Sequence, residues 1–351
     1  MRNTLLNITN NSIINEDISN VIFNNVDKID LKKEYNVLIT WANGMIPSYL
    51  LYFFQWLNIV SGNKFQIYLI IRNNENRINI INDMSNIRIL WRWAENPINT
   101  DIKFDYIIHA WSDATPKKYI NNKIGTINCN VKWLYNLLEL DLSNLKSFFF
   151  FTTWELYWTP DVKDIPIKEE YIWRINHLNE RSAYVETKRF CETLLINYYY
   201  EKKLPVKMVR PFHTFWPGID LDDWRVFSDF IKSAYNLEDI VINWDWTTTR
   251  SFCYLADALD MYVKILFSDI NWEVYNVWNP NNEISIKDLA QIICEIVDNK
   301  ISYKILWKDN WLAPLRSNCD ISKWIKNLWF NPKFSVREGF SRTLESLSKY
   351  S

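Results

Sequence analysis

The chain has 351 residues, 40 basic against 41 acidic, and a formal net charge of −1. That length holds one large or two modest domains, and the even charge balance implies no polyanionic partner, so no nucleic acid is expected. No secretory signal and no membrane-length apolar run is expected, and five scattered cysteines without metal-like pairing point to a reducing cytoplasm and to no metal site. Asn, Ile, Lys, Tyr and Phe are abundant, as in the product of a gene poor in G and C. Five glycines stand against 19 tryptophans. Together they make about 7 % of the chain, the ordinary share of glycine alone.

Residues 1–33 are polar, with apolar positions at Ile13, Ile14, Ile18, Val21 and Ile22, and read as an amphipathic segment before the domain proper. Tyr35 to Thr40 is a short apolar run, a buried strand. TWANGMIPSYLLYFFQWLN follows, a turn and an amphipathic helix. In a nucleotide-binding fold such a strand–turn–helix sets a pyrophosphate against helix N–H groups. The turn needs glycine for positive φ and for close backbone approach. Gly44 is present, but Trp41 stands where the first glycine belongs and Pro47 where the third would be. Pro47 falls just inside the helix, where a missing N–H costs little. Phe65 to Ile71 is a second strand ending in Arg72. An acidic residue there would mark NAD, so Arg72 leaves NAD or NADP open.

Phe104 to Ala110 is another buried strand. Gly125 to Leu140 has helical period through Ile127, Val131, Leu134, Leu137 and Leu138. Ser147 to Thr153 is the next strand, containing the run Phe148 to Phe151. Alternating buried strands and helices predict an α/β fold with a parallel, doubly wound sheet. After Val206 to Val209, proline and charge in RPFHTFWPGIDLDDWRVFSDFI suggest a chain leaving the sheet to build a substrate lid. Val274 to Val277 is a short strand. NEISIKDLAQIICEI is a helix with Ser285 as N-cap and Asp288 three residues on.

Between these lies RSAYVETKRFCETL, Arg181 to Leu194. Tyr184 and Lys188 are four apart, on one helical face and one turn apart. A lysine ammonium there favours the phenolate and lowers the tyrosine pKa. A tyrosine so tuned takes a proton from a sugar or alcohol hydroxyl while hydride leaves the same carbon. Alone the pair is common by chance, as a solvated lysine over a packed tyrosine. Thr153 and Glu155 follow a strand's carboxyl end and share a side if the chain stays extended.

In this order the pieces resemble the extended short-chain dehydrogenase/reductase family, the NAD-dependent nucleotide-sugar epimerases, dehydratases and decarboxylases, from about Tyr35 to Phe340. The UDP-glucuronate decarboxylase branch is the nearest in look. Four segments carry the resemblance: HAWSDATPKKY, TTWELYW, RSAYVETKRFCET, and DDWRVFSDFI with TTTRSFCYLAD. It implies a Rossmann domain over 35–210 plus 241–278, a smaller substrate-binding domain over 211–240 and 279–351, and an extension over 1–34. It implies NAD held by Thr40, Trp41, Asn43, Gly44, Met45, Ile46, Arg72, Ala110, Tyr184, Lys188 and Pro211. A UDP-sugar would meet Ser112, His213, Arg225 and Arg250, and a homodimer is the family expectation.

The resemblance also assigns roles. Tyr184 is the base at the C4 hydroxyl, with Lys188 on the nicotinamide ribose, Thr153 in the proton network and Glu155 near sugar C5. Arg250 faces the substrate. The 4,6-dehydratases carry an aspartic acid before this glutamate, where this chain has Trp154. The 4-epimerases usually lack the acid at Glu155. Two departures leave sugar and nucleotide open: His213 stands where many relatives have asparagine, and Gly218 where decarboxylases usually have arginine. A 4-epimerase, dehydratase or reductase is the alternative enzyme. An inactive nucleotide-sugar binder is the alternative of another class. Trp41, Trp133, Trp158, Trp216, Trp224, Trp244, Trp246, Trp278 and Trp329 all fall where such sequences usually have glycine. The codon UGA means tryptophan in some variant codes and glycine in others, so a glycine-reading gene translated with the wrong table would give this pattern.

Overall fold

The computed structural model describes residues 8–71, 81, 83–91, 96–110, 116–172, 176–219, 221–222, 225–243, 247–306 and 316–348. In chain order the elements are α1 (Ser12–Asn25), β1 (Tyr35–Thr40), α2 (Met45–Ser61), β2 (Phe65–Ile71), β3 (Ile87–Trp91), β4 (Tyr106–His109), α3 (Pro116–Asn121), α4 (Lys123–Leu138), β5 (Ser147–Phe151) and α5 (Ser182–Lys202). Then come β6 (Val206–Pro211), β7 (His213–Phe215), α6 (Val226–Asn236), β8 (Ile240–Ile242), β9 (Thr249–Tyr254), α7 (Leu255–Leu266) and β10 (Glu273–Val277). The last are β11 (Glu283–Ser285), α8 (Ile286–Ile296), β12 (Tyr303–Ile305), β13 (Arg316–Ser317), α9 (Ser322–Leu328) and α10 (Val336–Ser348).

The chain divides into two units, the first of 1–156, 175–210 and 259–274, the second of 157–174, 211–258 and 275–351. These boundaries differ from the expected ones. Helix α1 belongs to the first unit, its Phe23 edge-on to Trp56 of α2. Residues 241–258 belong to the second, because β9 pairs with β7, β11 and β13.

The first unit is built on a seven-stranded sheet of order β10-β6-β5-β4-β1-β2-β3. The expected α/β, doubly wound parallel fold is the one observed. Val37, Leu38 and Ile39 of β1 are fully buried, as strands covered on both faces must be. Leu38 pairs with Tyr68 on one side and Ile107 on the other. One face packs Leu134 and Leu137 of α4 and Leu195 of α5 against Leu38, Ile107 and Phe148. The other packs Tyr262 of α7 edge-on to Phe151. The strand order reverses between β1 and β4, the place where such sheets bind ligands at their carboxyl ends.

In the second unit β9 is the hub, and Phe215 of β7 stacks on Phe340 of α10 at 4.0 Å. Asp257, in the first turn of α7, accepts backbone N–H bonds from Lys333 and Phe334 at 2.9 and 3.1 Å. The stretch 210–231, expected to leave the sheet as a substrate lid, holds β7 and the start of α6 among its described residues. Helix α8 starts as the sequence predicts: Ser285 Oγ accepts the Asp288 N–H at 3.0 Å. Among the described residues no helix is long and apolar enough to cross a membrane.

Four tryptophans have left-handed backbones: Trp41 (φ 55°), Trp158 (53°), Trp272 (61°) and Trp329 (51°). A residue with a side chain there costs about 1–2 kcal/mol. Trp133 and Trp278 are fully buried and Trp216 nearly so, without that backbone. Trp224, Trp244 and Trp246 lie outside the described residues.

Candidate active site

Helix α5 sets Tyr184 and Lys188 on its buried face. The Lys188 ammonium is enclosed, donates to the Phe151 carbonyl at 2.8 Å and sits 4.8 Å from the centre of the Phe150 ring. It is therefore anchored to the carboxyl end of β5. Burial lowers its pKa from 10.5 to about 8, so it is still charged at pH 7. The Tyr184 ring lies parallel to that of Tyr119, centroids 4.9 Å apart.

Beyond β5 the chain does not stay extended. Residues Trp154–Tyr157 form a 3-10 turn, so Thr153 and Glu155 are not brought together by strand alternation. They are joined instead by a hydrogen bond from the Glu155 N–H to Thr153 Oγ1 at 3.2 Å. The turn aims the Glu155 carboxylate at two donors. Tyr119 Oη donates to Oε2 at 3.1 Å and Arg181 Nη2 donates to the same oxygen at 2.9 Å. Oε1 accepts no hydrogen bond among the described residues. Burial, and then the Glu155 charge, push the Tyr119 phenol far above its usual pKa, so it stays a neutral donor. Sequence reasoning assigned no role to Tyr119 or Arg181. The available signal was that each closes one end of a motif the sequence singles out.

At the β1–β4 switch point, Thr40 Oγ1 takes the Ala110 N–H at 3.2 Å and bonds His109 Nδ1 at 2.9 Å. His109 is fully buried, and burial holds its pKa well below 6.5. The imidazole is neutral and ties two strand ends together. Gly44 caps α2 with no side-chain hydrogen bond, leaving its first-turn N–H groups to other partners. Asn43, Gly44, Met45 and Ile46 line the partly exposed start of that helix. Arg72 and Ser112 lie outside the described residues.

In the second unit Arg250 is nearly buried and donates Nη1 to the Thr249 carbonyl at 2.7 Å. Burial lowers its pKa to about 10, which leaves it charged. His213 pairs in register with Phe252 across β7 and β9. Burial, with Arg250 and Arg225 adding to it, drives its pKa well below 6.5, so His213 is a neutral group. The Arg225 guanidinium lies over the Phe227 and Trp216 rings at 4.9 and 5.4 Å. Pro211 ends β6.

A dinucleotide is tested by two features. On α5 the residues fit the nicotinamide half of such a group: a charged lysine and a buried tyrosine one turn apart, the lysine anchored at the end of β5. At the phosphate turn they do not. The Gly44 N–H closes the turn on the Trp41 carbonyl at 2.7 Å. A Cβ on Gly44 would lie 2.5 Å from Trp41 Cδ1, so the indole rests on the bare face a pyrophosphate must approach.

A sequence model of the NAD dependent epimerase/dehydratase family matches residues 37–277. The chain is 34 % identical over 242 residues to UDP-glucuronic acid decarboxylase 1 of Arabidopsis thaliana, covering 69 % of this chain and 54 % of that one. It is 32 % identical over 238 residues to UDP-glucuronic acid decarboxylase 5 of the same plant, covering 68 % of each. The fold is similar to that of a UDP-N-acetylglucosamine 4-epimerase from Methanobrevibacter ruminantium M1, with a TM-score of 0.76, 20 % identity, and coverage of 91 % of this chain and 100 % of that one. The switch-point sheet, the Tyr184–Lys188 helix and the sequence match converge: the chain belongs to the NAD dependent epimerase/dehydratase family.

Proposed function

We propose that this chain decarboxylates a nucleotide sugar, UDP-glucuronate in the first instance, with NAD retained and recycled within each turnover. When bound, NAD supplies a hydride acceptor at sugar C4 and later returns the hydride. Tyr184 takes the proton of the C4 hydroxyl, and Thr153 shares that proton's network. The Lys188 ammonium, charged at pH 7, favours the phenolate and holds the nicotinamide ribose. With C4 a ketone, the carboxylate is beta to it. The C5–C6 bond breaks, its electron pair enters the enolate, CO₂ leaves, and C5 then takes one proton. Glu155 is the carboxylate assigned to C5. The first unit would hold the dinucleotide through Thr40 and Ala110, and through the 41–46 turn only with the Trp41 indole moved off Gly44. Residues of the second, Arg250, His213 and Arg225, would bind the nucleotide sugar.

The observation that carries this reading is the fixed Glu155 next in chain to Trp154. Tryptophan cannot protonate a leaving C6 hydroxyl, as a 4,6-dehydratase requires, and a decarboxylase needs no such acid. The test is UDP-glucuronate labelled in its carboxyl carbon. Labelled CO₂ and a UDP-pentose are expected. A UDP-galacturonate product without CO₂ would instead make the chain a 4-epimerase.

The Trp41 indole over Gly44 favours one reading of another class, an inactive nucleotide-sugar binder. Nicotinamide absorbance in the purified protein separates the two. We also assign a homodimer in a reducing cytoplasm, in keeping with five free cysteines. Light scattering on the eluted protein tests the dimer.

A further inference from the structure

We infer that positions 41, 158, 272 and 329 are glycine in the polypeptide the cell makes. Among the described residues, nine that are not glycine have positive φ: Asn63, Lys203, Leu237, Asp298, Asn299 and the four tryptophans. Asn and Asp are the types that tolerate this conformation. Lys203 and Leu237 end helices α5 and α6, where a left-handed residue closes the last turn. Of the tryptophans only Trp329 also ends a helix; at the other three neither reason applies, and a bulky side chain at positive φ is a genuine outlier.

The four sites are of different kinds, so no shared packing motif accounts for them. Trp329 is the C-cap of α9, glycine's usual place, and is 89 % exposed. Its ring gains almost no burial to offset the strain. Trp272 is 44 % exposed at the turn into β10, its N–H bonded to the Val206 carbonyl at 2.6 Å. Trp158 follows the 3-10 turn that aims Glu155. Trp41 opens the turn between β1 and α2, where its ring covers Gly44.

Only two of the chain's five glycines, Gly62 and Gly218, have positive φ. The fold thus uses more left-handed positions than its glycines supply, and tryptophan takes the surplus. UGA is the codon that one variant code reads as tryptophan and another as glycine, so one decoding difference explains all four. Glycine at 41 would remove the indole from the Gly44 face and free the phosphate turn.

The inference rests on backbone geometry and not on the decarboxylase reading, so either can fail alone. Peptide mass spectrometry on the protein from its own cells is expected to show glycine at all four positions, with UGA in the gene. Tryptophan masses, or UGG codons there, overturn it. The recombinant chain provides a second measurement. A variant with Trp41→Gly, Trp158→Gly, Trp272→Gly and Trp329→Gly is expected to melt roughly 10 °C higher than the chain with tryptophan. A melting temperature equal to or below that of the unaltered chain overturns it. Trp41→Gly alone is expected to raise nicotinamide dinucleotide affinity at least tenfold by titration, and unchanged affinity overturns the claim at that position.

Discussion

The phenol ring of Tyr119 lies flat against that of Tyr184, with 2° between the planes and 4.9 Å between the centroids. The Tyr119 hydroxyl then continues to Glu155 Oε2. The stack is worth about 0.5–1.5 kcal/mol and a hydrogen bond to a charged group about 1.5–3 kcal/mol. Tyr119 therefore couples the position of the proposed base to that of the proposed carboxylate. Tyr119→Phe keeps the stack and deletes the bond. Turnover is expected to fall roughly tenfold, about 1.4 kcal/mol, with bound dinucleotide unchanged. Tyr119→Ala removes both contacts and should fall further. Equal rates for the Phe variant and the parent chain would remove the hydroxyl from the argument.

Arg181 makes the stronger bond to the same oxygen. Burial pulls its pKa down, but Glu155 and Tyr119 outweigh that and hold it above the usual value. Arg181→Gln leaves a donor but no charge, at a cost of about 1.5–3 kcal/mol. Turnover should drop by roughly 10- to 100-fold with KM for the nucleotide sugar little changed. Arg181→Lys should recover part of it. A variant that loses affinity and keeps turnover would place Arg181 on the substrate instead of behind Glu155.

These two partners were not legible in the sequence, and the reason is physical. Local patterning gave β1, β4, β5 and α4, because burial on both faces or on one stripe leaves an apolar pattern. The Ser285 cap was legible because its partner is three residues away. Glu155 chooses partners 36 and 26 residues away, and no periodicity records that choice. The 3-10 turn at Trp154 defeated the alternation argument, since a turn resets which side each residue faces. Trp272 escaped for a related reason: nothing local marks its φ as positive. The resemblance carried the roles of Tyr184, Lys188 and Thr153, and geometry then supplied what holds Glu155.

A third expectation concerns stability alone. Arg210 grips Glu192 with both ends of its fork, Nε to Oε1 at 3.0 Å and Nη2 to Oε2 at 2.6 Å. Only 10 % and 12 % of the two side chains are exposed. Removing one partner of such a pair strands the other charge. Arg210→Met is expected to cost about 3–5 kcal/mol in urea unfolding. The double variant Arg210→Met with Glu192→Leu should recover most of that. If the single variant costs under about 1 kcal/mol, the pair behaves as a solvated one.

The last expectation follows from the buried ammonium of Lys188, and its sign can be worked out. Burial lowers the folded pKa to about 8, against 10.5 for the unconstrained side chain. Between those values the unfolded chain binds more protons than the folded one. Stability therefore rises with pH across that window, and the whole penalty is present below about pH 8. At about 1.36 kcal/mol per unit it amounts to about 3 kcal/mol. Lys188→Met removes the penalty and also the charged-donor bond to the Phe151 carbonyl, worth about 1.5–3 kcal/mol. The variant should be more stable than the parent at pH 7 by about 1 kcal/mol, with the gap closing as pH rises toward 10.5, while turnover is lost. Urea melts of both chains from pH 7 to pH 10 check it. A gap that stays constant over that range would mean that the lysine does not titrate there. A parent chain more stable at every pH would mean that the ammonium is held by partners strong enough to outweigh its burial. The expected pattern is a site that keeps a costly charge inside the fold, as the proton chemistry proposed for Tyr184 would require.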